Sequence, residues 1–240
     1  AGQDLQLTCS VHFVNLEPFR LDTIIGRKFF WTGPDILPFN SRLAQPTVAL
    51  PGLYILSVVD TFSGCTGRDT VEVFDNTLPP YVYAGEDQIL SCGHSQIGLK
   101  GDSSHYGLGY LTEWFGPDVN SSNKNMINIS VGLPGQYILK IINLTNDCTA
   151  TDTVIVNSDK DLPLADAGID KLIACDSVGT TIGGNNGSFG PDITYMWSGP
   201  DINAGNMSQR FPFVRVPGNY TLILTNTMNF CRDTDIVVVA

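Results

Sequence analysis

The sequence has few histidines and little positive charge. Its 240 residues contain three His, and 13 Lys+Arg against 24 Asp+Glu give a formal net charge of −11. Nucleic-acid binding needs clustered Lys and Arg, and none are clustered here, so we expect no nucleic-acid partner. His12, His94 and His105 occupy different positions of the repeat described below. No phosphate, dinucleotide or hydrolase motif occurs either, so we expect no catalytic activity.

Long apolar runs are also missing. No run approaches the roughly 18 apolar residues that cross a bilayer as a helix, so we expect no membrane span in this segment. The 24 Gly and 14 Pro interrupt the chain too often for long helices, whereas 42% hydrophobic residues suffice for packed cores. These features predict a globular all-β protein. The chain begins at Ala1 rather than Met, so we expect a processed protein or a piece of a longer one.

Five landmarks recur with a period of 83 residues. A Cys, a Trp, a Pro, a Tyr and a second Cys appear three times without net insertion or deletion. They are Cys9, Cys92, Cys175; Trp31, Trp114, Trp197; Pro51, Pro134, Pro217; Tyr54, Tyr137, Tyr220; and Cys65, Cys148, Cys231. This period suits a small domain rather than a solenoid repeat. We predict three tandem domains in an extended array, called modules 1, 2 and 3 below, over residues 1–76, 77–159 and 160–240.

The segment after each Pro-Gly pair alternates between apolar and mixed residues. In module 1, Tyr54, Leu56 and Val58 share one face, and the other modules repeat the pattern. A period of two is typical of a strand with one buried face. Short runs between turns give six or seven strands per module, so we predict seven-strand immunoglobulin-like sandwiches with Greek-key connections. In such a sandwich the hydroxyls of Tyr54, Tyr137 and Tyr220 are expected to hold the corner before the next strand.

The six cysteines give two per module, 56 residues apart. Of fifteen possible pairings, the set Cys9–Cys65, Cys92–Cys148 and Cys175–Cys231 repeats identically in every module, so we predict one disulfide within each. We place it near one pole of the sandwich, between the end of the first strand and the turn before the last strand. Paired cysteines indicate an oxidising compartment. Zinc is disfavoured, because no module has Cys-x-x-Cys or a repeated His.

Two other residue types recur and suggest binding. Trp31, Trp114 and Trp197 could stack on sugars, but their place at the end of an aromatic strand favours a core position between sheets. Variable aromatic residues would suit a binding platform better, and Phe19, Phe39, Tyr106 and Tyr110 are candidates. Carboxylates gathered at domain joints could bind calcium, although we favour the alternative that the aspartate after each Gly-Pro completes a turn through its own backbone. They are Asp4, Asp87, Asp170, Asp35, Asp118, Asp201, Asp69, Asp152 and Asp235.

The combined motif is Ala-Gly-x-Asp, Cys, Trp-x-Gly-Pro, Pro-Gly-x-Tyr, Cys and Asp-Thr-Val-x-Val. It resembles the PKD-like or immunoglobulin-like repeats of very large Bacteroidota surface proteins, including gliding-motility adhesins of the SprB type. The match is clearest around Cys65 and Cys148 and their following strands. The resemblance implies export by the type IX secretion system and display on the cell surface or release. It also implies O-glycosylation at Asp-Ser/Thr-aliphatic triplets, here Thr23, Thr70, Thr153 and Ser177.

These observations favour a non-catalytic adhesin or filament segment outside the cell. In this interpretation the repeats form a stalk that extends and supports an adhesive region, with a surface polysaccharide or another cell-surface ligand and the neighbouring repeats as partners. Two alternatives remain open: carbohydrate-binding accessory modules of a secreted hydrolase, and a self-assembling extracellular fibre or sheath. A glycan panel separates the first alternative, and a regular lateral lattice in electron microscopy would identify the second.

Overall fold

The computed structural model describes residues 1–18 and 25–240, and the regular elements in these ranges are all strands. No helix in the described ranges has the length and apolar character that crossing a membrane requires. In chain order the strands are β1 (Leu5–Leu7), β2 (Val14–Asn15), β3 (Arg27–Thr32), β4 (Thr47–Val48), β5 (Gly52–Asp60), β6 (Thr66–Asp75), β7 (Gln88–Ser91), β8 (Ile97–Lys100), β9 (Tyr110–Phe115), β10 (Asn128–Val131), β11 (Gly135–Asn143), β12 (Thr149–Asp159), β13 (Thr180–Thr181), β14 (Ile193–Ser198), β15 (Phe213–Val214), β16 (Gly218–Asn226) and β17 (Arg232–Val239).

Each module consists of a larger and a smaller sheet with the same connections. The larger sheets have the orders β1-β6-β5-β3, β7-β12-β11-β9 and β14-β16-β17, and the smaller sheets pair β2 with β4, β8 with β10 and β13 with β15. In module 3, a parallel bridge between Lys171 and Val239 replaces the first strand of the larger sheet. The array is therefore immunoglobulin-like, with six rather than the predicted seven strands in the described parts of modules 1 and 2.

One hydrophobic core lies in each module, and both sheets contribute to it. In module 2, Trp114 and Tyr137 of the larger sheet pack with Leu99 and Ile129 of the smaller sheet. The other two cores are built from residues of module 1 and of module 3 respectively. Because each core joins two sheets, each module is a β-sandwich. The three repeated Trp and the three repeated Tyr side chains are all at most 2% exposed.

The direction of the first strand decides where the cysteines lie. Strand β1 runs parallel to the last strand of its module, β6, with Leu7 beside Asp75. In module 2, β7 likewise runs parallel to the end of β12. The first and last strands of a module therefore end at the same pole, whereas the turn before the last strand lies at the opposite pole.

The Trp-x-Gly-Pro and Pro-Gly-x-Tyr motifs meet at the tyrosine corner. The Tyr137 hydroxyl donates to the Leu133 carbonyl oxygen at 2.8 Å, and the ring lies against Gly116, where a Cβ atom would be 2.3 Å from Tyr137 Cδ1. Gly135 has a φ of 147° and lies against Pro117. Modules 1 and 3 repeat this arrangement, with Tyr54 donating to Leu50 and Tyr220 to Val216. The two motifs are thus the two sides of one close contact.

Candidate functional site at the module joints

Two disulfides connect neighbouring modules. Cys9 of module 1 bonds to Cys148 of module 2, and Cys92 of module 2 bonds to Cys231 of module 3. In both pairs the Cα atoms are 4.9 Å apart and the sequence separation is 139 residues. This separation is one repeat period longer than the 56 residues between the cysteines of one module. Each joint therefore carries a covalent bridge in addition to the main chain.

The predicted pairings Cys9–Cys65, Cys92–Cys148 and Cys175–Cys231 within modules are wrong. Because β1 runs parallel to β6, Cys9 lies near the end of β6, whereas Cys65 immediately precedes its first residue. A strand of ten residues spans about 30 Å, far more than the roughly 4.4–6.8 Å that a disulfide permits between Cα atoms. The two cysteines of one module therefore face opposite neighbours.

Cys65 and Cys175 are free and exposed thiols. Cys65 lies at the pole of module 1 away from module 2. Cys175 lies at the pole of module 3 away from module 2, because it occupies the repeat position of Cys9 and Cys92. Of the six cysteines predicted to form disulfides, the structure bonds four and leaves these two unpaired.

A buried asparagine amide completes each joint. Asn146 Nδ2 donates to the Leu78 carbonyl oxygen at 3.0 Å, while its Oδ1 accepts the Cys148 backbone N–H at 3.0 Å. Asn229 repeats both contacts, with the Asp161 carbonyl oxygen and the Cys231 N–H. These amides fix the linker to the hairpin that carries the bridging cysteine. The sequence signal was Asn two residues before Cys in modules 2 and 3, where module 1 has Ser63.

Backbone and side-chain contacts surround the two disulfides. The Cys9 N–H donates to the Asn146 carbonyl oxygen at 3.1 Å, and the Gly93 N–H donates to that of Asn229 at 3.2 Å. The adjacent side-chain contact differs: Ser10 Oγ donates to Asp147 Oδ2 at 2.6 Å in the first joint, whereas His94 packs edge-on against Phe230 in the second. In each joint a backbone N–H at or next to the bridging cysteine donates to the carbonyl oxygen of the buried asparagine, but the two donors are one repeat position apart and the side-chain contacts differ.

The nine repeated aspartates hold backbone N–H groups within modules. In module 2, Asp87 accepts the Ile155 N–H, Asp118 accepts the Gly132 N–H, and Asp152 accepts the Ala84 N–H. Their counterparts in modules 1 and 3 accept the equivalent donors. The aspartate after Gly-Pro thus reaches a residue 14 positions further along the chain, beyond its own turn. No group of three metal-ligating side chains occurs in the part of the chain that the structure describes.

The histidines have separate surroundings. His105 Nδ1 accepts the Tyr81 N–H near the first linker, whereas His94 contacts Phe230 at the second joint. The structure does not bring these two side chains into one site.

The predicted glycosylation positions are exposed where the structure describes them. Thr70 lies on β6, Thr153 on β12, and Ser177 in a turn where its Oγ donates to the Ala174 carbonyl oxygen. Thr23 lies outside the described residues, as does the aromatic candidate Phe19. Phe39 is 78% and Tyr106 53% exposed, and Tyr106 and Tyr110 line a shallow cleft of about 450 Å³.

No family model and no curated protein matches the sequence. Among solved structures, titin domains I67–I69 in an E-to-A mutated variant align over 99% of this chain and 94% of theirs, at 13% identity and TM-score 0.44. Three N-terminal domains of the outer capsid protein Hoc of bacteriophage RB49 align over 98% and 95%, at 13% identity and TM-score 0.39. Sidekick-1 immunoglobulin domains 1–5 align at 12% identity and TM-score 0.37, and the chain spans 57% of that protein chain.

Proposed function

We propose that the chain is a non-catalytic stalk segment of an extracellular adhesin or filament, in which residues 1–76, 77–159 and 160–240 fold as three separate domains. The observation that carries this proposal is the Cys9–Cys148 disulfide, which joins one module to the next. A bridge at a joint adds little to the core of either module. It provides a second covalent connection, besides the linker, through which a pulling force passes from one module to the next.

The route through module 2 follows a single strand. Cys148 precedes β12, and β12 ends at Asp159, where the linker to module 3 begins. Tension that enters through Cys9 therefore passes along β12, which is already extended, and reaches module 3 without passing through any other strand of module 2. A strand of 11 residues spans about 33 Å. Unfolding module 2 would thus not lengthen this route.

A second route runs in parallel through the first strand of module 2. It passes from module 1 along the main-chain linker and β7 to Cys92, and from there through the disulfide to Cys231 and β17 of module 3. The two routes share no residue. The arrangement suits a stalk that must keep its length under load.

The compartment and the organism class belong to the same proposal. Stable disulfides form where the environment is oxidising, which places the stalk outside the cytosol. On the resemblance of the repeat motif, we assign the chain to the PKD-like repeats of Bacteroidota surface proteins of the SprB type. Type IX export, display on the bacterial surface, O-glycosylation and a role in gliding motility follow from that assignment.

The adhesive ligand class in this proposal is a surface polysaccharide. The cleft beside Tyr106 and Tyr110 is the feature of module 2 that suits a sugar, because an aromatic face can cover the apolar face of a pyranose. A glycan panel on the 240-residue protein tests this ligand class. Binding that the Tyr106→Ala variant loses would support this ligand class and locate its site in the cleft of module 2, whereas no binding to any glycan would contradict it.

Single-molecule pulling tests the stalk. A Cys65→Ser variant leaves Cys175 as the free thiol, so one handle is attached there through a thioether and the other at Ala1. With both disulfides intact, the shortest covalent path between the handles contains 37 residues, 1–9 and 148–175. After reduction it contains all 175, which adds about 470 Å of contour length on unfolding. We expect this gain only after reduction.

The control is a variant that also carries Cys9→Ser and Cys148→Ser. Its shortest covalent path runs over residues 1–92, through the Cys92–Cys231 disulfide and back over residues 175–231, 149 residues in all. This path includes the core strands of modules 1 and 3, so the control should extend under oxidising conditions as well. Equal extension of the oxidised parent and of this control would refute the stalk mechanism.

A further inference from the structure

We infer that Cys65 and Cys175 are the two complementary halves of a further joint of the same kind. The partner of each cysteine is another module of this 83-residue repeat, placed in line in the same polypeptide. Cys175 bonds to the cysteine at the Cys65 position of the following module. Cys65 bonds to the cysteine at the Cys175 position of the preceding module. The inference depends on the joint geometry and extends the proposed stalk by naming its neighbour.

The turn at Cys175 contains a backbone hydrogen bond that is also present at the bonded cysteine Cys92. The Ser177 N–H donates to the Ala174 carbonyl oxygen at 2.9 Å across the turn that holds Cys175. The equivalent turn around Cys92 closes with a bond from the His94 N–H to the Ser91 carbonyl oxygen at 3.2 Å. The thiol of Cys175 is therefore presented on a turn that carries a bridging cysteine elsewhere in the chain.

The Cys65 half likewise matches its bonded counterparts. The Asp60 N–H donates to the Cys65 carbonyl oxygen at 2.9 Å, and the equivalent bonds at Cys148 and Cys231 are also 2.9 Å. The residue before each of these cysteines has a positive φ, 73° at Gly64, 57° at Asp147 and 59° at Phe230. Left-handed Asp and Phe residues are uncommon. The hairpin therefore keeps one unusual conformation at the free end and at both joints.

Burial shows what is missing at the free end. Cys148 and Cys231 are fully buried, whereas Cys65, on the equivalent hairpin of module 1, is exposed. Cys65 and Cys175 lie at opposite ends of the array, so they cannot bond to each other within one chain. Each joint pairs a cysteine at the Cys9 repeat position, which is Cys9 or Cys92, with one at the Cys65 repeat position, which is Cys148 or Cys231. The two free positions are therefore complementary, and neither is expected to pair with its own kind.

The linker explains why the partner is placed in line. In both joints an asparagine amide binds a carbonyl oxygen of the linker, at Leu78 and at Asp161. The main chain between modules is therefore part of the joint and also holds the two thiols at a high effective concentration, of the order of millimolar. A separate chain would lack the linker and this effective concentration. At Cys65 the hairpin carries Ser63 in place of the asparagine, so the proposed joint there has no amide contact with the linker.

The bond forms by thiol–disulfide exchange with a small disulfide oxidant such as glutathione disulfide. The thiolate of one cysteine attacks the oxidant, forming a mixed disulfide and releasing one glutathione thiolate. The thiolate of the second cysteine then displaces the second glutathione. Two protein thiols lose two electrons and two protons, and one glutathione disulfide becomes two glutathione thiols.

A tandem chain tests the inference. Two copies of the 240-residue sequence are joined through a copy of residues Ser158–Asp166, so that Cys175 of the first copy and Cys65 of the second are again 139 residues apart. After equilibration in a glutathione redox buffer, alkylation and mass measurement count the free thiols. We expect two, Cys65 of the first copy and Cys175 of the second, and peptide mapping should show Cys175 bonded to the second Cys65.

The Cys9–Cys148 and Cys92–Cys231 peptides of both copies serve as the folding control. With those disulfides present, four free thiols, or Cys175 bonded to any other cysteine, would overturn the inference. A Cys175→Ser change in the first copy should leave three free thiols. This result does not depend on mechanical function, so a stalk that fails the pulling test could still pass here.

A mixture of the separate Cys65→Ser and Cys175→Ser chains tests the in-line placement. Each retains one complementary thiol. At micromolar concentration we expect cross-linking at least about 100-fold slower than closure within the tandem chain, given the difference in effective concentration. Equal rates would assign the partner to a second chain instead and contradict the in-line joint.

Discussion

Cys9 and Cys148 belong to different modules, yet a disulfide joins them with their Cα atoms 4.9 Å apart. Each lies beside the linker that connects modules 1 and 2, Cys9 after β1 and Cys148 before β12. The disulfide is therefore a second covalent connection across the joint, in addition to the linker. It limits how far the modules can separate, even when the linker is cut.

Cleavage of the second linker tests the disulfide pattern directly. Lys160, the first residue of module 3, is exposed directly after β12, so limited digestion with a lysine-specific protease should cut after it. Because Cys92–Cys231 spans the cut, residues 161–240 should stay attached on a non-reducing gel and separate after reduction.

The matched control is the Cys92→Ser variant digested in the same way. It should release module 3 without reduction. Release of module 3 from the unreduced parent would instead support pairing within modules and contradict the structure.

Much of the fold could be predicted from the sequence because it is repeated three times. The 83-residue period, the buried Trp31 and its counterparts, and the alternation after Pro-Gly reflect local packing that a single module already contains. The immunoglobulin-like sandwich follows from these signals. Five landmarks that keep one period without insertion indicate three equivalent units more strongly than any single motif.

The disulfide pattern could not be predicted in the same way, because pairing within modules and pairing between neighbours have the same period. Only the direction of the first strand distinguishes them. The parallel contact between Leu7 and Asp75 is a tertiary feature, and it moves Cys9 to the pole opposite Cys65. Asn146 and Asn229, two residues before the bonded cysteines, are replaced by Ser63 in module 1, but this difference does not indicate which cysteines pair.

The buried amide of Asn146 should stabilise the first joint. Asn146 is 2% exposed and satisfies both the Leu78 carbonyl and the Cys148 N–H. In the Asn146→Ala variant these backbone groups lose their partner, so we expect a loss of about 1–3 kcal/mol in the free energy of unfolding, measured by denaturant titration with the disulfides intact.

Ser63→Ala is the matched control, since it changes the same repeat position where no joint is formed. It should alter the free energy of unfolding by less than about 0.5 kcal/mol. Similar losses in the two variants would mean that Asn146 acts within its own hairpin and not at the joint.

Gly116 should be intolerant of any side chain. A Cβ atom there would lie 2.3 Å from Tyr137 Cδ1, so Gly116→Ala must displace the ring from the tyrosine corner. We expect a loss of about 1–3 kcal/mol from overpacking, seen as earlier unfolding of module 2 by fluorescence of the nearby Trp114.

The control Gly98→Ala places a methyl group on β8, where no heavy atom lies within 4 Å of the added Cβ. Its stability should remain close to that of the parent. If both alanine variants unfold at the same denaturant concentration, the contact between the two corner motifs is not what requires glycine at position 116.

The tyrosine corners should make stability depend on alkaline pH. Burial, followed by the charge of a nearby aspartate, raises the pKa of Tyr54, Tyr137 and Tyr220. Each folded phenol therefore resists ionisation at a pH where the unfolded phenol, with a pKa of about 10, already loses its proton. The resulting stabilisation is complete below pH 10 and is lost as the pH rises through the raised pKa.

A variant with all three tyrosines changed to phenylalanine isolates this contribution. At pH 7 the variant should be less stable than the parent by about 1 kcal/mol for each lost hydrogen bond. Above pH 10 the difference should shrink, because only the parent then loses stability through these phenols. Denaturant midpoints of both proteins at several pH values between 7 and 11 measure the difference. A gap that stays constant across this range would show that the corner phenols are not held in their neutral form by the fold.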